Sequence, residues 1–103
     1  MSDKAWKQWE RTVAKIFGGV RRGPDTRGEQ GGKTDIIHPH FAIECKLLGA
    51  PGYADMLAAC KQAEANAGPG QEPVAVIKRK NKRIEDALVV MRLPVFRDWR
   101  LPK

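Results

Sequence analysis

The sequence predicts an α/β fold, a mixed central sheet flanked by helices in the order helix, three strands, helix, two strands (α-β-β-β-α-β-β). Three observations carry this. Apolar residues recur at helical spacing over 3–17, the run from Phe41 to Leu48 alternates as a strand does, and an alanine-rich segment separates that run from two β-branched ones. At 103 residues the chain is expected to form a single domain, 1–103, around one hydrophobic core.

The first helix is read from Trp6, Trp9, Val13, Ile16 and Phe17, with Ser2 and Asp3 as N-cap candidates and Gly18-Gly19 as its end. Val20-Arg21-Arg22 suits a short strand. Residues 23–33 hold four glycines, one proline and several charges, the composition of a mobile basic loop. The apolar runs Thr34 to Ile37 and Phe41 to Leu48, separated by His38-Pro39-His40, predict a β-hairpin. A second helix is expected from about Tyr53 to Ala67, closed by Gly68 and Pro69, with an apolar stripe through Tyr53, Met56, Leu57 and Cys60. Val74 to Lys78 and Ala87 to Arg92 read as the last two strands, and Pro94 starts a short terminal helix or an extended tail. Trp6 and Trp9 fall on the first helix stripe and are expected in the core, whereas Trp99, beside Phe96, suits either a dimer interface or the closing of the core.

Nineteen Lys and Arg against 12 Asp and Glu leave a formal charge of +7, which favours a polyanionic partner, nucleic acid first. No run approaches the roughly 18 apolar residues of a spanning helix, and a secretory hydrophobic segment is absent, so a cytoplasmic protein without a membrane partner is expected. Cys45 and Cys60 lie within apolar patterns without metal-ligand spacing, which speaks against a disulfide framework or zinc site. His38 and His40 flank a turn proline and lack further Cys or His partners, so they read as loop residues. Gly32-Lys33-Thr34 lacks the earlier glycine of a phosphate-binding loop, because position 27 is arginine, and no nucleotide cofactor is expected.

Within Phe41 to Leu48, period two puts Ala42, Glu44, Lys46 and Leu48 on one face and Phe41, Ile43, Cys45 and Leu47 on the other. An even hairpin loop, His38-Pro39 or His38 through Phe41, brings Asp35 to the face of Glu44; an odd one sends it to the opposite face. Two carboxylates and an ammonium pack poorly in a core but suit a hard divalent cation, magnesium or manganese. Glu10 falls at the edge of the first helix stripe, which suits a carboxylate aimed at this site and equally an edge residue paired with Lys7 or Arg11. Lys78, Arg79, Lys80, Lys82 and Arg83 fill five of six consecutive positions, and with Arg21, Arg22, Arg27 and Lys33 they form two basic groups suited to phosphate contact; the alternative is a solvated turn.

Glu10 in a first helix, Thr34-Asp35 on a strand, Glu44-Cys45-Lys46 on the next and a helix behind them resemble the PD-(D/E)xK nuclease superfamily. The likeness spans nearly the whole chain. Within the superfamily the arrangement is most similar to the small archaeal and phage Holliday junction resolvases, where the phrase Ile43-Glu44-Cys45-Lys46 has close counterparts. Thr34 stands in place of the proline that names the superfamily, and that proline is not a ligand. The resemblance implies a restriction-endonuclease-like core in which Asp35, Glu44 and the backbone carbonyl of Cys45 bind Mg2+ or Mn2+, with Glu10 joining the metal or orienting its water. It implies that Lys46 positions or helps deprotonate the attacking water. Gln62 matches a helix polar residue that many members add to the site, although it falls opposite the stripe of Tyr53, Met56 and Cys60. The implied activity is metal-dependent DNA hydrolysis leaving a 5′-phosphate, in recombination or repair. A homodimer paired on a four-way junction is the leading expectation; another nicking, flap or restriction-like nuclease, or a non-catalytic DNA-binding module, are the alternatives.

Overall fold

A computed structural model describes residues 2–22 and 34–102. These form helix α1 (Ser2–Phe17), strands β1 (Val20–Arg21), β2 (Ile36–Ile37) and β3 (Phe41–Leu48), helix α2 (Tyr53–Asn66), strand β4 (Glu72–Arg79), one 3-10 turn (Ile84–Asp86), strand β5 (Leu88–Val90) and helix α3 (Leu93–Arg100). The five strands make one mixed sheet in sequence order. β1–β2, β2–β3 and β4–β5 are antiparallel, while β3 and β4 run parallel over eight residue pairs, with α2 as the crossover between them. The predicted α/β class and mixed sheet are therefore present, with the terminal segment folded as α3.

Helices α1 and α2 take one face of the sheet each. α1 buries Trp9, Val13 and Ala14 against Ile36, Ile43, Cys45, Val74 and Val76. α2 buries Ala59, Cys60 and Ala63, and two of these pack on Ala75 and Ile77 with Leu48 and Met56 at the margin. Ile36 and Ile43 have no accessible surface, and truncating either to alanine is expected to cost about 2–5 kcal/mol. Both cysteines are buried and free, as expected of core residues.

The end of α1 follows from its two glycines. Gly18 takes φ +74, its N–H bonds the Lys15 carbonyl at 3.3 Å, and Gly19 N–H bonds the Ala14 carbonyl at 2.8 Å, the paired arrangement of a Schellman cap. Gly19 also admits no side chain, because a Cβ there would lie 2.7 Å from the Ile37 carbonyl oxygen and 2.8 Å from Ile36 Cγ2. The chain thus turns tightly from α1 into β1. At the other end of the hairpin, Gln71 donates from Nε2 to the His38 carbonyl at 2.6 Å and accepts from Gly68 N–H, tying the α2–β4 loop to residues 38–41. His38 is engaged too, with Nε2 2.9 Å from the Phe17 carbonyl and Nδ1 accepting from His40 and Phe41 N–H, which fits its reading as a loop residue.

Several sequence expectations are corrected. β2 begins at Ile36 rather than Thr34, because Thr34 Oγ1 donates to the Ile36 carbonyl and the Asp35 carboxylate is bound to the next strand. β5 covers Leu88–Val90 rather than Ala87 to Arg92: Ala87 N–H closes the 3-10 turn on the Ile84 carbonyl, and Arg92 makes a two-pronged ion pair with Glu64, both contacts at 2.7 Å. The buried face of α2 keeps Cys60 of the expected stripe, with Met56 at its margin, but is otherwise made by Ala59 and Ala63, while Tyr53 is 77% exposed, since small side chains let the helix lie close on the sheet. Trp6 is 43% exposed, one turn beyond the part of α1 that covers the sheet. Trp99 is half-buried and meets Phe41 edge-on at 5.8 Å.

Candidate active site

The β2–β3 register sets the site. Ile36 pairs with Ile43, so the hairpin loop is the four-residue alternative, His38 through Phe41; Asp35, the residue before β2, donates its N–H to the Ile43 carbonyl at 3.3 Å and lies beside Glu44. Asp35 Oδ2 accepts the Cys45 backbone N–H at 2.8 Å, which fixes the carboxylate against β3. Glu44 points to the α2 face in register with Ala75 and is 3% exposed, and its Oε1 is buried with no hydrogen-bond partner among the described residues. Lys46, two residues on, is half-buried on the same face and makes no ion pair among the described residues.

The electrostatics follow from that crowding. Burial pushes the Glu44 carboxyl up to about 8, reinforced by the Asp35 charge and opposed by Lys46. Burial raises Asp35 too, against the Cys45 N–H and Lys46, which favour its charged form. The two carboxyls lie close enough that each perturbs the other, so the pair retains a proton well above the ordinary carboxylate range. The Cys45 thiol, on the opposite face in the α1 core, is driven up by burial and stays neutral. Its side chain lies away from Glu44 and Lys46, and only its backbone is available to the site.

Glu10 takes the site-facing alternative, not the pairing with Lys7 or Arg11. It is 3% exposed, and Arg21 Nε of β1 donates to its Oε1 at 2.7 Å. Burial raises its carboxyl, the Arg21 hydrogen bond opposes that, and the Asp35 charge raises it further. α1 and β1 thus deliver a third carboxylate close enough for Asp35 and Glu44 to feel its charge. Arg21, expected to contact phosphate, is instead Glu10's partner. This pairing spans 11 residues and had no local sequence signal.

The remaining candidates divide. Gln62 is exposed on α2, aside from its buried face of Ala59, Cys60 and Ala63, so this helix does not turn it inward. Arg22 donates from Nε to the Thr34 carbonyl at 2.6 Å, bracing the start of the Asp35 segment. Arg27 and Lys33 lie outside the described residues. Lys80, Lys82 and Arg83 are exposed, whereas Arg79 bonds the Gly49 carbonyl and Lys78 is half-buried with Nζ 6.0 Å from the Trp9 ring centre. Among the described residues, no three His, Cys, Asp or Glu side chains close into a ready cage for an ion, so a cation here would rest on the Asp35–Glu44 pair with backbone or water oxygens. None of the described helices is long and apolar enough to cross a membrane.

Comparison with known proteins finds no family model, no characterised protein and no solved structure that matches this chain.

Proposed function

We propose that this chain is a metal-dependent DNA endonuclease with a restriction-endonuclease-like core of the PD-(D/E)xK kind, and that its substrate is branched DNA, a four-way junction above all. One observation carries the reading: Asp35 and Glu44 converge across the β2–β3 register beside Lys46, with Glu44 Oε1 buried and unpartnered among the described residues. A pure binding module gains nothing from buried carboxylates placed against phosphates, whereas a hard cation offsets their mutual repulsion and supplies the orphan oxygen with a partner.

In this reading Asp35 and Glu44 hold Mg2+ or Mn2+, assisted by the backbone carbonyl of Cys45, and the ion acts as a charge sink for the phosphate. Lys46 orients the attacking water and stabilises it as its proton leaves. The water oxygen joins phosphorus, the bond to the 3′ oxygen breaks, and the products are a 3′ hydroxyl and a 5′-phosphate. Glu10, steadied by Arg21, keeps the far side of the site anionic and orients water there. The exposed cations Lys80, Lys82 and Arg83 contact phosphate without reading bases.

A four-way junction has approximate two-fold symmetry and needs two cuts, so one site per chain implies a homodimer with two sites on opposed strands. Such an enzyme works in the cytoplasm of a bacterial, archaeal or phage-infected cell. The test is cleavage of a labelled four-way junction beside matched duplex and flap DNA, with Mg2+, Mn2+ or chelator. Paired metal-dependent nicks in the junction alone support the proposal. Cleavage of all three substrates makes the protein a general nuclease, and binding without cleavage in any metal makes it a non-catalytic module.

A further inference from the structure

On the sheet face opposite Glu44 and Lys46, a groove of about 600 Å3 opens between the first turns of α1 and the turn that follows β4. Its lining joins three kinds of chemistry. Trp6 and Trp9 supply aromatic surface, Gln8 and Asn81 supply amides, and Lys78 and Lys80 supply positive charge; no carboxylate lines it among the described residues. Trp6 keeps 43% of its surface exposed at the groove, although the neighbouring core residue Trp9 keeps only 5%. The Trp9 Nε1 donor is buried without an acceptor among the described residues, so this lining residue carries an unmet hydrogen bond.

The groove is held by backbone rather than by chance side-chain placement. Lys80 N–H bonds the Leu48 carbonyl at 2.8 Å, continuing the parallel ladder one step past β4, and Lys82 N–H bonds the Arg79 carbonyl at 3.3 Å. Between them Asn81 sits at φ +61, a left-handed position that asparagine tolerates better than most residues. Lys80 and Asn81 are thus fixed opposite the first turns of α1.

An aromatic face beside ammonium groups and amides complements one kind of occupant: a base that has left its stack, with its phosphates on either side. We propose that this groove takes an unstacked base of single-stranded DNA, Trp6 stacking on the base and Lys78 and Lys80 holding the flanking phosphates. The proposal goes beyond the nuclease reading, since the groove lies on the other face of the sheet from Asp35 and Glu44, and it gives the protein a means of sensing branch points and flaps, where bases are free.

The test is run in chelator, so that cleavage does not enter. Binding of a labelled oligothymidylate is compared with that of an abasic strand of equal length and charge. The thymine strand is expected to bind about fivefold or more tightly. Trp6→Ala is expected to abolish that preference while leaving the abasic strand bound as before, and Trp6→Phe, which keeps an aromatic face, to retain part of it. Equal affinity for the two strands, or a preference that survives Trp6→Ala, would overturn the proposal. Loss of this base preference leaves metal-dependent cleavage standing, and absence of cleavage leaves the groove standing, because the two are read on different substrates and under different conditions.

Discussion

Asp35, just before β2, lies beside Glu44 of β3, one anchored by the Cys45 backbone N–H at 2.8 Å and the other buried with an oxygen that no described residue partners. Neither arrangement is good packing for two carboxylates on its own, and each becomes sensible around a cation. Asp35→Asn and Glu44→Gln are close in shape to the native residues. Each is expected to reduce junction cleavage by at least about a thousandfold while changing junction binding less than about threefold, as loss of a metal ligand rather than loss of DNA affinity demands. Single-turnover cleavage and gel-shift titration on the same preparations check this.

The same pair gives stability a distinctive pH dependence. The folded Glu44 carboxyl titrates near 8 against an ordinary value of 4.5, so between those limits the folded chain holds a proton that the unfolded chain has released. Unfolding then releases a proton, and stability falls as pH rises from about 4.5 to 8, by up to about 1.4 kcal/mol per pH unit for the group. Asp35 and Glu10 are displaced in the same direction and steepen the fall. In chelator, urea denaturation is expected to show greater stability at pH 5.5 than at pH 8, with Glu44→Gln flattening the profile and raising the stability at pH 8. Added Mn2+ is expected to restore stability mainly at the higher pH, where the pair is ionised.

Arg21 is the partner that makes a buried Glu10 tolerable, at 2.7 Å with the glutamate side chain 4% exposed and the arginine 25%. Arg21→Ala leaves that carboxylate buried without its donor and is expected to cost about 1–3 kcal/mol, less than a fully buried pair would because water reaches the arginine side. The double variant Glu10→Gln with Arg21→Ala is expected to recover part of the loss. Denaturant midpoints for the two singles and the double form the required cycle.

The turn after β4 exposes Lys80, Lys82 and Arg83. Replacing all three with glutamine is expected to weaken junction and duplex binding alike and to reduce the slope of log affinity against log salt by about two to three, near 0.9 for each phosphate no longer neutralised. An unchanged slope would remove this turn from the DNA surface. Arg79 is a poorer choice for this test, since its Nε already bonds the Gly49 carbonyl.

What the sequence made readable is what period and punctuation encode locally. β3 runs over Phe41–Leu48 as its alternation indicated, with Glu44 and Lys46 on one face and Cys45 on the other. The two glycines after Phe17 marked a helix end because no other residue fills those positions as well. The position of Asp35 was readable only up to a choice of loop parity, since the spacing allows several hairpins and tertiary contacts select one. The Arg21–Glu10 pair was not readable, because it joins a helix to a strand edge and leaves no periodic trace. α2 was readable in part: Cys60 of the expected stripe is buried, but pattern reading gave weight to large apolar residues such as Tyr53, whereas close packing on the sheet selected Ala59 and Ala63 beside Cys60. The same preference for large residues placed Trp6 in the core, while the helix extends past the sheet at that turn.

The central claim is that Asp35 and Glu44 form a divalent-cation site, and its most direct test is Mn2+ binding to the DNA-free protein, followed by electron paramagnetic resonance and calorimetry at pH 6 and pH 8. One ion per chain is expected, bound more tightly at pH 8 because the Glu44 proton must leave, with binding abolished in Glu44→Gln and Asp35→Asn. Equal Mn2+ binding by wild type and both variants, or no binding by the wild type at either pH, would contradict it.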